Sequence, residues 1–179
     1  MMLFIGCASI NKSSFVPDYE INSKLIPLKV IHVDNDPLLK DYHYLIDDFA
    51  EKYISKGDET KGEIQFNIQN VQHLARDPNL AVWAIPSFLT LCTINIFGFP
   101  LLSQTSNVTL QVNITDNNAE FVEGYLINGK GRDYVAMYWG YGAESSIQAS
   151  KYQAFKNAME QLAGFINEDA EKVNSKLNK

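Results

Sequence analysis

The chain is short of the residues from which chemistry is usually built. Of its 179 residues, two are cysteine and three are histidine. Cys7 and Cys92 lie far apart, so one disulfide is permitted but a disulfide framework is not implied. No C-x-x-C and no His/Cys cluster occurs, which argues against a structural zinc site. His32, His43 and His73 are well separated, and His32 sits in an apolar run, where a histidine is usually packed and hydrogen-bonded. Neither G-x-x-x-x-G-K-[ST] nor G-x-G-x-x-G is present, so the nucleotide-loop reading fails. The run Asp34-Asn35-Asp36-Pro37 lacks the regular oxygen spacing of a calcium loop, and no G-x-S-x-G elbow accompanies the many serines. Lys and Arg are scattered, the net charge is −6 and the pI is near 5.0. That balance argues against a nucleic-acid surface and against electrostatic docking on anionic lipid. The longest absence is of charge itself: no Asp, Glu, Lys or Arg lies between Pro78 and Thr115.

What remains is ordinary globular material, 46% apolar and 12% aromatic, of a length that suits one domain. Residues 25–33 read as a strand with Pro27 near its start. Asp36 and Pro37 then suit the N-cap and first position of a helix. Its stripe is Tyr42, Leu45, Ile46, Phe49, Ala50 and Tyr53, and residues 55–58 end it. Residues 62–69 alternate, with Ile64, Phe66 and Ile68 on one side and Glu63, Gln65, Asn67 and Gln69 on the other.

Residues 107–115 carry the cleanest period-two signal, with Val108, Leu110, Val112 and Ile114 on one face. Asn107 and Asn113 match the N-glycosylation pattern but read more simply as polar-face residues of this strand. A turn at 116–118 leads to a strand at 119–127, and Asn128-Gly129-Lys130-Gly131 reads as a second turn before a strand at 132–139. A long helix is expected from about Ala143 to Val173. Ile147, Ala154, Phe155, Ala158, Met159, Leu162, Phe165, Ile166, Ala170 and Val173 form its stripe. The expected fold is α+β: a mostly antiparallel sheet of about five strands with two helices on one face. The order is β-α-β, an apolar segment, then β-β-β-α.

Residues 80–102 form that apolar segment, LAVWAIPSFLTLCTINIFGFPLL, near the length of about 20 residues that spans a bilayer. Pro86, Asn95, Gly98 and Pro100 count against a straight span, and no Lys or Arg brackets it. Three readings stand: a buried irregular segment, a membrane-dipping hairpin, or a groove for an apolar ligand or partner. As a membrane or partner contact, its exposed points would be Trp83, Phe88, Phe97 and Phe99.

The N-terminal stretch Leu3-Phe4-Ile5-Gly6-Cys7 resembles the bacterial lipobox, with Gly6 as the small residue before the cysteine. Six residues precede Cys7 and none is basic, so a working signal would need a start further upstream. The other reading makes Cys7 a buried strand cysteine. W-x-x-P at 83–86, followed by LTLCTINIFGFP, also resembles a stretch in small bacterial cell-envelope lipoproteins. The resemblance implies lipid attachment at Cys7, residues 1–24 as signal remnant and tether, and a single α+β domain from 25 to 179. It implies anchoring in the outer membrane, facing the periplasm.

Tyr138, Trp139 and Tyr141 flank glycines before the long helix and are either packed beneath a tight turn or a ligand surface. The function expected is that of a non-catalytic accessory or binding protein of the envelope, held at a membrane by its lipid and available to an envelope protein complex. No cofactor, metal or nucleic acid is expected. The alternative is a soluble α+β protein that binds a small apolar ligand, with Cys7 structural; an enzyme of another type comes third.

Overall fold

Strict alternation of apolar and polar residues makes strands, and here it also decides which side of each strand is covered. The computed structural model describes residues 15–33, 39–57, 59–74, 85, 89, 102–135 and 143–178. Among them, strands β1 (Lys29–His32), β2 (Gly62–Leu74), β3 (Leu102–Asp116) and β4 (Phe121–Val135) form one sheet in the order β1-β2-β3-β4. β1 pairs parallel to β2, and the β2–β3 and β3–β4 pairs are antiparallel. Helices α1 (His43–Tyr53) and α2 (Ala143–Leu177) supply the second layer. The fold is thus α+β with a mixed four-stranded sheet.

The covered face is built from Ile64, Phe66 and Ile68 of β2, Val108, Leu110, Val112 and Ile114 of β3, and Ile127 of β4, all buried. Against them lie Leu45, Ile46, Phe49 and Tyr53 of α1 and Phe155, Ala158, Met159, Leu162 and Ile166 of α2, in one continuous core. Each large side chain so buried contributes about 1.5–3 kcal/mol relative to exposure. A 3-10 turn, Lys40–Tyr42, leads into α1, while Asp36 and Pro37 lie outside the described residues. α1 stops at Ile54, whose extended backbone bridges to Leu25, in keeping with the expected stop at Ser55.

Two expectations need correction. The expected fifth strand does not exist separately: residues 121–135 form one strand, and Asn128–Gly131 continue it instead of turning. The glycines serve close packing. A Cβ on Gly129 would stand 2.0 Å from the Ala154 carbonyl oxygen, and one on Gly131 2.0 Å from that of Ser150. A side chain at either position would push α2 off the sheet, so glycine is required here for space and not for a turn. The real turn is at 116–120, where Asp116 Oδ1 accepts from the backbone N–H of Asn118 and Glu120, each at 2.8 Å.

The second correction concerns Phe165, which does not join the buried stripe of α2. It is 42% exposed and stacks on Tyr125, with ring centroids 5.9 Å apart.

β4 is a long edge strand, and unpaired edges invite pairing with other chains. α2 closes much of it. Gln161 Nε2 donates to the Asn128 carbonyl at 3.3 Å, Asn157 Nδ2 to that of Lys130 at 2.7 Å, and Ser146 Oγ to that of Tyr134 at 2.9 Å. At the far end Lys176 Nζ donates to the Val122 carbonyl at 2.9 Å.

Candidate functional site

The topology sends several chain ends to one end of the sheet. β2 finishes there at Leu74, β3 starts there at Leu102 and β4 finishes there at Val135, since Leu74 pairs with Thr105 and Leu102 with Val135. α2 begins at the same end and runs back antiparallel to β4, with Ser150 over Gly131, Ala154 over Gly129 and Lys176 beside Val122. The chain therefore leaves the sheet at this upper end at Leu74, ahead of the apolar segment 80–102, and rejoins it there at Leu102.

The N-terminal strap converges on it too. Two asparagines one heptad apart on α2 hold the strap as a strand partner would. Asn167 Oδ1 accepts from the backbone N–H of Asn22 at 3.1 Å and its Nδ2 donates to the Glu20 carbonyl at 2.6 Å. Asn174 repeats the device, accepting from the Ile26 N–H and donating to the Lys24 carbonyl, each at 2.9 Å. A side-chain amide carries both a donor and an acceptor, so each asparagine satisfies two backbone groups that would otherwise lack a partner. Further up, Phe15 stacks on Tyr152 at 5.6 Å. The strap thus runs parallel to α2 from its upper third downward, and the described chain begins near the upper end.

Tyr19 anchors the strap's middle. Its ring packs edge-on against Phe49 and Tyr53, with the Lys52 ammonium 4.9 Å from its centroid. Burial, and then the Asp48 carboxylate, push its hydroxyl well above the ordinary tyrosine range, so it stays neutral.

Beneath the upper end lies a polar seam. Ser106 and Ser150 are fully buried and share a hydrogen bond of 2.7 Å. Ser150 Oγ also reaches the Ile147 carbonyl at 2.8 Å, and His73 Nδ1 stands 3.5 Å from Ser106 Oγ. A serine beside a histidine invites a nucleophile reading. The geometry opposes it, because the Ser106 hydroxyl is sealed from solvent and already bonded to Ser150, and 3.5 Å is long for activation by a base. These small side chains let α2 approach the sheet closely.

From sequence this seam shows only as serines, Ser106 on β3 and Ser146 and Ser150 four residues apart on α2, which nothing local distinguishes from solvent-facing serines.

His32 is packed and hydrogen-bonded as its setting implies. Nε2 meets Asp47 Oδ1 at 3.2 Å and the ring stacks on His43 at 4.1 Å. Among the described residues no group of three or more His, Cys, Asp or Glu could hold a metal ion, and no helix is long and apolar enough to cross a membrane. Clefts along the described surface are small and open, about 310–320 Å³ each. One is polar, between Lys29, Glu63 and Asp116, and one apolar, between Leu28, Val30 and Ile54.

The residues singled out from sequence lie outside the described set: Cys7, Trp83, Phe88, Phe97, Phe99, Tyr138, Trp139 and Tyr141. Within the apolar segment Ile85 and Leu89 are described. They are helical, one turn apart, and 58% and 76% exposed.

Below Ser103 and Thr105, which are buried, the opposite face of the sheet is only partly covered among the described residues and has a composition of its own. Register places Gln65 against Asn113, Asn67 against Gln111, Asn70 against Thr109 and Gln72 against Asn107. β4 adds Asn128 beside Thr109 and Leu126 beside Gln111. The side chains are partly tied together: Gln69 Nε2 donates to Gln111 Oε1 at 2.5 Å, and Thr109 Oγ1 to Asn128 Oδ1 at 2.9 Å.

No protein-family model and no curated protein matches the chain. Two solved structures are similar in outline. A candidate lipoprotein from Caulobacter crescentus has 12% identity and a TM-score of 0.46, over 83% of this chain and 91% of its own. A minor lipoprotein from Acinetobacter baumannii has 11% identity and a TM-score of 0.39, over 85% of this chain and 92% of its own. Likeness at that level fixes neither a family nor a function.

Proposed function

We propose that this chain is a non-catalytic accessory or binding protein of the bacterial cell envelope, lipid-anchored at Cys7, with the upper end of its domain turned to the membrane. One observation carries the reading. The strap that leads back toward Cys7 and the points where the chain leaves and rejoins the sheet around segment 80–102 belong to the same end of the molecule. A single acyl chain holds a protein only marginally, so a second contact beside the anchor is what stable attachment requires. Phe15 lies eight positions after Cys7 (15 minus 7), a reach of at most about 26–29 Å when fully extended. An anchor at Cys7 would hold the upper end within that distance of the headgroups. The exposure of Ile85 and Leu89 supports a segment that meets an apolar partner instead of filling the core. Trp83, Phe88, Phe97 and Phe99 would form that contact, and the outer membrane, with the domain facing the periplasm, is its proposed site.

The test is to express the gene with its native upstream DNA in a bacterial host and follow labelled palmitate, comparing the parent with Cys7→Ala. The expected result is label in the parent, none in the variant, and release of the variant from the membrane fraction. In a Trp139→Phe background, Trp83 fluorescence should be quenched by brominated lipid. An unlabelled, freely soluble parent would end the anchor reading.

A further inference from the structure

We propose that the open face of the sheet binds a neutral glycan, one bearing hydroxyl and acetamide groups, with the Phe121 ring as its stacking platform. The inference goes beyond membrane attachment and does not depend on it. It begins from what the face contains. Along β2 and β3 its residues are Gln65, Asn67, Asn70, Gln72, Asn107, Thr109, Gln111 and Asn113, paired across the strands and uncharged. Solvated faces of antiparallel sheets are common, so exposure by itself says nothing. The composition is what departs from the ordinary. Asparagine is among the residues depleted in strands, yet it recurs at 67, 107, 113 and 128 on this one face. Residues that defy local preference, with no packing reason, are expected at functional positions.

Charge narrows the ligand. Among the described residues the charged side chains of this face stand at its corners: Lys29 paired with Glu63 at 3.1 Å below, and Lys130 and Arg132 above. The field between them is neutral. A nucleic acid would call for a basic stripe, and an anionic lipid for a basic cluster. A protein partner generally buries aromatic or arginine anchors in a fully desolvated centre, and the middle of this face is amide and hydroxyl. Each amide can donate and accept at once, which suits a ligand whose every group does the same.

The aromatic element is specific. Phe121 is 69% exposed, and its ring lies over Gly124, where a Cβ would stand 3.0 Å from the ring's Cζ and 3.2 Å from Asn113 Oδ1. Glycine at 124 thus makes room for an exposed ring directly beside the amide field. The electron-rich face of such a ring attracts the C–H edges of a sugar, while the sugar's hydroxyl and acetamide groups reach the amides alongside. Leu126, 63% exposed and opposite Gln111, continues the apolar rim.

The test uses the full chain, labelled with 15N, and chitotetraose as the probe, with cellotetraose as the glycan lacking acetamide. We expect chitotetraose to shift the side-chain amides of Asn67, Gln111, Asn113 and Asn128 and the backbone N–H of Gly124, with Kd on the order of 1 mM for a single shallow site. Phe121→Ala should weaken binding by about tenfold, a loss of about 1.4 kcal/mol. Gln111→Glu should weaken it as well, and neither substitution touches the covered core, so neither should alter the fold. Equal binding of cellotetraose would keep the site and remove the acetamide specificity from the proposal. Shifts confined to another surface, or no shift with either sugar, would overturn it. So would shifts on this face that depend on protein concentration alone, which would assign the face to a second copy of the chain.

Discussion

The two faces of the sheet are made by the same strands, residue by residue in alternation, and they obey different rules. On the covered face Ile64, Phe66, Ile68, Val108, Leu110, Val112 and Ile114 leave almost no surface to solvent. On the open face their neighbours Gln65, Asn67, Asn107, Gln111 and Asn113 are only partly buried and bond to one another or to solvent. A slip of one residue would exchange the two sets and expose the core, so the covered face fixes the register. The open face is thereby released from any part in specifying the fold. Stability is concentrated on one side of these strands, and the other is free to be composed for binding.

The comparison is broken most directly on the covered side. Phe66 is fully buried and edge-on to Phe49 at 6.1 Å. Phe66→Ala should cost about 3–5 kcal/mol, the lost transfer energy plus a cavity that the surrounding β-sheet cannot close. Gln65→Ala, one residue away on the other face, should stay within about 0.5 kcal/mol. Urea unfolding of the pair measures the contrast, and comparable losses would remove it.

Gly131→Ala tests the same face from the opposite direction, by adding an atom. The new Cβ would lie 2.0 Å from the Ser150 carbonyl oxygen and 2.4 Å from the Ala154 nitrogen, both backbone atoms that cannot swing aside. Overpacking of this kind costs about 1–3 kcal/mol. Thermal melts of Gly131→Ala beside Gly124→Ala, whose Cβ meets mainly the movable Phe121 ring, should show the larger fall for position 131.

These glycines also show where sequence is informative and where it is not. Burial with a period of two is written directly into residues 62–69 and 107–115, so both strands and their inward sides are legible. α1 and α2 are legible for the same reason at helical spacing. Asn128-Gly129-Lys130-Gly131 is not, because glycine serves equally for a turn and for close approach, and only the position of α2 over β4 separates the two. The upper parts of β2 and β3 are hidden because half-buried His73 and buried Ser103 to Ser106 are polar on both faces there and carry no apolar alternation. The convergence of strap and apolar segment at one end is a property of topology, and no local pattern encodes it. The amide field was visible as polar alternation on each strand, but its continuity appears only when the register sets Asn67 beside Gln111 and Gln65 beside Asn113.

A smaller effect concerns the polar ties that hold α2 to β4 at the lower end. Glu123 meets Lys172 at 2.7 Å and Lys176 at 3.2 Å, and the hydrogen bonds from these two ammonium groups hold its carboxyl below the ordinary glutamate value of 4.5. The folded value lies below the unfolded one, so the unfolded chain binds more protons in acid and stability rises with pH through this range. The contribution is complete above the ordinary glutamate value and is lost as pH falls through the lowered one. Glu123→Gln should therefore be less stable than the parent at neutral pH and indistinguishable from it in strong acid. Added salt should shrink the neutral difference, since the ammonium groups are largely solvated. A difference that persists unchanged into acid would mean that packing, not charge, sets the role of Glu123.

The smallest expected change is on the open face, and its sign is the informative part. Threonine suits a strand better than asparagine does, on a scale that spans about 1 kcal/mol from end to end. Asn67→Thr and Asn113→Thr keep a polar group on the surface and leave the inward-facing Phe66, Ile68, Val112 and Ile114 untouched. If these amides are present for binding, each substitution should leave stability level or raise it by a few tenths of a kcal/mol, while glycan-induced shifts at the neighbouring Gln111 weaken. A loss of more than about 1 kcal/mol would show that the amide pairs stabilise the sheet, and the composition of the open face would then need no ligand to explain it. The outcome turns on cross-strand contacts. Gln65–Asn113 and Asn67–Gln111 are cross-strand neighbours whose amides remain partly open to water, so little net stability is available for a substitution to remove.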